Sequence, residues 1–374
     1  MKRITAKNKA RDVHLRLKVL KKQLRNKRHK NSGKAHLVTE KPTNPEGKEP
    51  KLPKYPIFDI SSQNIDDFEQ MGTKSKFWYK DSKSGKDYLF KSIHTEDREG
   101  NPIERKGEDW AEKIACELAE SLGIPHAHYD LANYQGQRGI RSEKFTTDGD
   151  NMFFGNQLIE HVANRINVTL ERGQRSQKVD RVAVILARLI KHPPRGWKPT
   201  ENINSAFDVF IGYLLLDTLI SNQDRHNENW AMIINGNESY LAPSFDHAAS
   251  LGRNESIEKM HERLISKDEG RQIPNYVARS KSYFYNGSDR LKTLDAFCIF
   301  GFYRKKATLE WLKQLEKLET EQIFSIVDKV PDEIMGLTEK TFCKAILIAN
   351  KARILAYKPM FLEHLQQEDK ETNS

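Results

Sequence analysis

Residues 221–252 read SNQDRHNENWAMIINGNESYLAPSFDHAASLG, and the spacing of acids and amides in this stretch decides the fold. Asp224 and Asn229 stand in an Asp-x-x-x-x-Asn arrangement. In a phosphoryl-transfer loop of that spacing the acid accepts the proton of the attacking hydroxyl and the amide ligates a magnesium ion. The apolar runs Trp230 to Ile234 and Ser239 to Ala242 are separated by Asn-Gly-Asn-Glu at 235–238, a composition that makes a tight hairpin. Such a hairpin folds Asp246 back beside Asp224 as a second metal ligand. Upstream, Ala206 to Ile220 is apolar on nearly every face, so a buried helix delivers the loop from a rigid base. Taken singly, Asp, Asn and His in a polar loop are turn formers and caps. Two acids bracketing a hairpin, with the spaced Asn between them, favour the catalytic reading.

The preceding half supplies what such a centre needs. Gly72-Thr73-Lys74-Ser75-Lys76 leads into Phe77-Trp78-Tyr79, then a turn at 81–86, then Tyr88 to Ile93. This is a β-hairpin whose entry loop has backbone amides able to cradle phosphates, with Lys91 placed to reach them. Taken alone, one glycine is a weak signal, and a strand lysine is usually solvent-facing. Glu108 to Leu122 has apolar residues at helical spacing and is followed by Gly123 and Pro125, which predicts an amphipathic helix with a glycine stop. Glu112 on it is positioned to pair with Lys91; the competing reading is a surface glutamate. Residues 126–134 and 139–145 read as two strands, and the exit at Glu143 to Phe145 offers backbone contacts to an adenine ring. Helices are expected over 178–192, 309–318, 321–327 and 338–357. Residues 253–290 show few periodicities and fall where an activation or substrate-binding segment would lie.

The chain has 374 residues and a net charge of +10, unevenly spread. Residues 1–35 hold 14 Lys/Arg against one acid, Asp12, a local charge of +13, leaving 48 basic against 51 acidic residues elsewhere. Val13, Leu17, Leu20 and Leu24 recur at helical spacing within this arm. It is either a docking arm for RNA, DNA or an acidic surface, or a solvated basic tail. Residues 36–56, with five prolines and seven charges from Thr39 onward, read as an extended linker. The division expected is then 57–146 as one lobe, 147–365 as a second, and 366–374 as a frayed polar tail. Cys116, Cys298 and Cys343 are far apart in sequence with no Cys-x-x-Cys or Cys/His cluster, so neither a disulfide framework nor a zinc site is expected. No apolar run reaches the roughly 20 residues of a membrane span and no signal peptide is evident, which fits a cytoplasmic protein.

Gly-Thr-Lys-Ser-Lys-Phe-Trp from 72, Leu-Phe-Lys ending at 91, the Glu112 helix closing on Leu-Gly-Ile-Pro, Asn-x-Asp-Arg-His-x-x-Asn-Trp and Leu-Ala-Pro-x-Phe-Asp-His together resemble the HipA-like kinases, bacterial Ser/Thr kinases. The resemblance runs over about residues 57–360. It implies an α+β, bilobal protein-kinase-like fold with a small β-rich N-lobe carrying one helix and a larger, mainly helical C-lobe. It further implies ATP and Mg2+ as cofactors and a protein Ser/Thr hydroxyl as acceptor. By that match Gly72, Thr73, Lys74 and Ser75 form the phosphate loop, Lys91 contacts ATP phosphates and Glu112 supports it. Glu143 and Phe145 meet adenine through their backbone, Asp224 is the base with His226 beside it in the nucleotide site, and Asn229 and Asp246 hold magnesium. Asp-His stands here where many kinases have Asp-Phe-Gly. Only the linker and arm precede the loop, so toxin behaviour and an antitoxin partner are unsupported by the sequence. Ser75, Ser61 and Ser62 are candidates for self-phosphorylation. Two alternatives stay open: a phosphatidylinositol-type lipid kinase, whose catalytic loop 224–229 resembles, and a kinase-like nucleic-acid or ribosome-associated binding protein.

Overall fold

The computed structural model describes residues 53–68, 74–97 and 99–372. The basic arm 1–35, the linker up to residue 52 and the loop residues Gly72 and Thr73 lie outside the described residues.

Seven strands build the first sheet: β1 (Ile57–Asp59), β2 (Ile65–Phe68), β3 (Lys74–Lys80), β4 (Asp87–Glu96), β5 (Pro102–Glu104), β6 (Tyr129–Tyr134) and β7 (Gln137–Glu143). Their order is β1-β6-β7-β4-β3-β2, with β5 also paired to β4. β4 sits between β3 and β7, both antiparallel to it, and Lys91 pairs with Lys76 on one side and Ile140 on the other. The two-residue period of a strand sends neighbours to opposite faces. Phe90, Tyr88, Phe77 and Tyr79 therefore close one buried aromatic cluster, with the Phe77 and Phe90 rings 5.2 Å apart, and Lys91 is turned to the other face. Gly139 on β7 permits this spacing, since a Cβ there would lie 2.2 Å from the Lys91 carbonyl.

Helix α1 (Glu108–Leu122) has the limits its apolar spacing predicts, closed by Gly123 at φ 69°, the left-handed stop that glycine adopts without steric cost. Trp110, Ile114, Leu118 and Leu122 enter the principal core together with residues of the helical part.

A second sheet, order β10-β9-β8, is made by β8 (Asn151–Phe154), β9 (Ala231–Asn235) and β10 (Glu238–Leu241). The β9/β10 hairpin is the one expected after Asn229. Helices α2 (Gly155–Arg165), α3 (Val179–Arg188) and α4 (Ala206–Leu219) lie between β8 and β9 in the chain. Every residue of α4 is buried, and each fully buried Leu or Phe on it contributes roughly 1.5–3 kcal/mol. Ser205 starts α4 by accepting the Asp208 N–H, one of the donors a helix start leaves unsatisfied.

The stretch 253–290, in which few periodicities were read, contains α5 (Ile257–Ile265), α6 (Ile273–Val277) and the hairpin of β11 (Lys281–Asn286) with β12 (Asp289–Lys292), which ends two residues beyond it. The rest is helical: α7 (Thr293–Tyr303), α8 (Lys305–Lys317), α9 (Thr320–Asp328), α10 (Leu337–Leu355) and α11 (Lys358–Thr372). α11 runs through Gln366, where a frayed tail was expected. Tyr55, assigned above to the linker, is buried, and its N–H donates to the Lys329 carbonyl at 2.8 Å. All three cysteines are buried and free. The absence of any Cys/His cluster expected from sequence is corrected, since the fold brings Cys116 against His126 and His128. No helix among the described residues is long and apolar enough to cross a membrane.

Candidate active site

Asp224 lies in the turn after α4, between Asn222, whose side chain accepts the Asp224 N–H at 3.0 Å, and Asn229, whose Nδ2 donates to the Asp224 carbonyl at 2.7 Å. The second bond commits the nitrogen end of the Asn229 amide and leaves Oδ1, a hard oxygen of the kind divalent magnesium takes. The Asp224 carboxylate is 41 % exposed, so an incoming hydroxyl can reach it. His226 Nδ1 accepts the Glu228 N–H at 3.1 Å, and its Nε2 sits 3.9 Å from Asp224 Oδ1.

What holds this loop is Arg225, which the motif contains but whose role sequence reasoning missed. Its guanidinium is fully buried and forks onto Asp217 of α4 at 2.8 and 2.9 Å. Its Nη1 donates to the carbonyls of Asn229 (2.8 Å) and Phe245 (3.3 Å), and Nη2 donates to Ser244 Oγ (2.9 Å). One side chain thus ties α4, the Asp224 loop and the residues just before Asp246 into a single network, with the planar donor fork that suits arginine for such a position. Burial alone would lower its pKa, but the Asp217 carboxylate outweighs that and the net direction is upward. Gln177, also buried, braces the same loop by donating to the Arg225 carbonyl and accepting from the Trp230 indole, both at 2.9 Å.

Asp246 is held at φ 58°, a left-handed conformation that Asp visits more readily than most residues and that is found at functional turns. Its N–H donates to the Tyr129 hydroxyl at 3.2 Å. Burial, then the Glu112 and Asp246 charges, push the Tyr129 phenol well above its ordinary value, so it stays protonated. The next residue, His247, donates its backbone N–H to Glu112 Oε2 at 2.9 Å. Glu112 Oε1 is buried and has no hydrogen-bond partner among the described residues. A buried carboxylate oxygen in that state calls for a cation or donor. Lys91, Glu112 and Asp246 line one small cavity, which brings together three of the residues singled out from sequence.

Lys74 and Ser75 open β3, next to the undescribed Gly72 and Thr73. Glu143 ends β7 with its N–H on the His128 carbonyl (3.3 Å) and its carboxylate on Lys86 (2.7 Å). Phe145 stacks on Phe245 at 6.0 Å, in an apolar set with Met152, Ile233 and Ala242. This gives a ring-sized planar ligand apolar walls directly beside Asp246. Ser61 is engaged in a turn, its hydroxyl donating to Asp59 at 2.6 Å and accepting the Gln135 N–H at 2.8 Å. A cavity of about 760 Å³ opens on the other face of the β8–β10 sheet, and none of the predicted site residues lines it.

The family model described as HipA-like C-terminal domain matches residues 68–323. The chain belongs to this HipA-like family. The serine/threonine-protein kinase CtkA of Helicobacter pylori is 24 % identical over 254 residues, which are 66 % of this chain and 70 % of CtkA. The crystal structure of the H. pylori proinflammatory kinase CtkA superposes with a TM-score of 0.63 at 20 % identity, covering 82 % of this chain and 99 % of that one. HipA of Shewanella oneidensis, solved with HipB and operator DNA, superposes at a TM-score of 0.50 and 12 % identity, covering 82 % and 69 %. The HipA-like chain thus has a kinase-like fold of mixed sheets and helices.

Proposed function

We propose that this chain is an ATP- and Mg2+-dependent kinase that transfers the γ-phosphoryl group to a protein Ser/Thr hydroxyl. The observation that carries the reading is the Arg225 network, because it fixes Asp224, Asn229 and Asp246 relative to one another from a single buried anchor. On this reading the β-rich and helical parts act as the small and large lobes. Asp224 accepts the acceptor hydroxyl's proton, while Asn229 Oδ1 and the Asp246 carboxylate hold magnesium. Lys91 neutralises phosphate oxygens with Glu112 holding its ammonium, and Phe145 and Phe245 wall the adenine. Bound Mg-ATP supplies the transferable phosphoryl group and the charge neutralisation at its bridging oxygens. Kinship with CtkA, named a serine/threonine-protein kinase, supports a protein acceptor over a lipid one. A cytoplasmic location belongs to the same proposal.

Nucleotide affinity tests the metal assignment. Asp246→Asn removes one anionic ligand, so Mg-ATP affinity at limiting magnesium should fall by about tenfold, the scale of 1.4 kcal/mol, while metal-free ATP binding is unchanged. Equal magnesium dependence in parent and variant, read by calorimetry, refutes the assignment.

The basic arm is proposed to bind polyanions and to take no part in catalysis. Deleting residues 1–35 should leave phosphoryl transfer within about twofold, because every residue assigned to the proposed centre lies in the chain from Gly72 onward. The same deletion should abolish salt-sensitive RNA retention. A truncated chain that loses ATP turnover would make the arm part of the fold.

A further inference from the structure

A second cluster of chemistry lies behind the Lys91 cavity and plays no part in the mechanism above. Cys116 is on α1, one helical turn after Glu112, and His126 and His128 lie on the segment that enters β6. One ligand atom from each of the three lies within 4.8 Å of the others. Their surroundings are those of a metal site. His126 Nδ1 is 2.7 Å from the Ile124 carbonyl, so it donates there and leaves Nε2 as the ligand. A backbone carbonyl fixing the tautomer in this way is the usual outer support of a metal-bound histidine. The Tyr129 N–H donates to Cys116 Sγ at 3.4 Å, which favours thiolate. His128 Nε2 lies 3.4 Å from Asp130 Oδ1.

The cations beside the cluster are already matched: Arg141 donates to Asp130 Oδ2 at 3.2 Å, and Lys113 is also engaged. Lys113 Nζ is 2.7 Å from Glu117 Oε1 and 3.3 Å from Asp130 Oδ1, and it donates to the Tyr129 carbonyl at 2.9 Å. Cys116 is buried, whereas the His128 side chain is 56 % exposed, so an ion has an entry path on the histidine side.

We propose that Cys116, His126 and His128 bind one Zn2+ ion. A soft thiolate with two imidazoles selects zinc over magnesium or calcium. Tetrahedral zinc sits about 2.3 Å from sulfur and 2.0–2.1 Å from imidazole nitrogen, so the three side chains close slightly around it. The fourth position goes to water, since the Asp130 oxygens are engaged by Lys113 and Arg141. Zinc enters as the dication, the thiolate and two neutral imidazoles donate their lone pairs, and any protons they carried leave to solvent. The ion would join α1 to the 125–127 segment. That segment is itself bonded to Ser244, with the Ala127 N–H on the Ser244 carbonyl at 2.8 Å and the Ser244 N–H on the Pro125 carbonyl at 2.9 Å. Zinc occupancy therefore braces the helix that carries Glu112 against the strand end that leads to Asp246. The site stands whether or not the chain is a kinase.

The test uses the full chain, stripped with chelator and titrated with Zn2+ by calorimetry and with Co2+ by absorption. The parent should give a thiolate-to-cobalt charge-transfer band together with the intense visible bands of a tetrahedral site. Cys116→Ser should lose the charge-transfer band. His128→Asn, at an exposed position that the fold tolerates, should weaken Zn2+ binding by more than about tenfold, the least that losing even an outer support costs. Zinc should raise the melting temperature of the parent and not of His128→Asn. Cobalt bound by the parent without thiolate absorption, or Zn2+ affinity in His128→Asn equal to that of the parent, would overturn the site. Histidines of the basic arm, if they bind zinc, would give that second result.

Discussion

Asp224→Asn should lower single-turnover phosphoryl transfer by about 100- to 10,000-fold, the contribution of a positioned general base, with Mg-ATP affinity and melting temperature at the parental values. The exchange preserves size and much of the side chain's hydrogen bonding, and the Asp224 backbone N–H and carbonyl keep their bonds to Asn222 and Asn229. The exchange takes the charge from a side chain that is 41 % exposed. A capping role would give the opposite pattern, with stability falling by about 1 kcal/mol and transfer following the folded fraction. Affinity, melting and single-turnover transfer measured on one preparation separate the two, and a folded variant that transfers phosphate at the parental rate refutes a chemical role for Asp224.

The largest loss of stability should come from Asp217→Ala. Asp217 is buried on α4, takes both donors of the Arg225 fork and also accepts from Asn222 Nδ2 at 2.8 Å. Removing it leaves a guanidinium buried without a counter-charge, a change that costs about 3–5 kcal/mol. Urea denaturation should show the midpoint falling with an unchanged slope, the mark of altered stability with the same surface exposed on unfolding. Because Arg225 also bonds the Asn229 and Phe245 carbonyls, the fraction that remains folded should bind Mg-ATP less tightly. An unchanged midpoint would mean that the pair is not what fixes the loop.

What the sequence made legible was what is local along the chain. The 231–241 hairpin and α1 are each set by neighbours within a few residues, and both lie where the spacing placed them. The partners of Arg225 were not legible, since Asp217 is eight residues away and Ser244 nineteen, and only the path of the hairpin brings them together. Nor was the cluster of Cys116 with His126 and His128, although His-Ala-His at 126–128, alternate residues sharing a face of an extended segment, was a signal that could have been read. Gly139 shows its purpose only once β7 lies against β4. α5 escaped notice for a different reason: only Met260 and Leu264 on it are buried, too few apolar positions for a periodicity to emerge from its polar composition.

The central claim is that Asp224, Asn229 and Asp246 form one magnesium-dependent phosphoryl-transfer centre. The most direct measurement is transfer of labelled γ-phosphate from ATP by the full chain, at varied Mg2+, onto itself and onto a Ser/Thr peptide library, followed by phosphoamino-acid analysis. The predicted result is phosphoserine or phosphothreonine that requires Mg2+ and is lost in Asp246→Asn. Magnesium-independent labelling, labelling that persists in Asp246→Asn at the parental rate, or no transfer from bound Mg-ATP to any hydroxyl would contradict it.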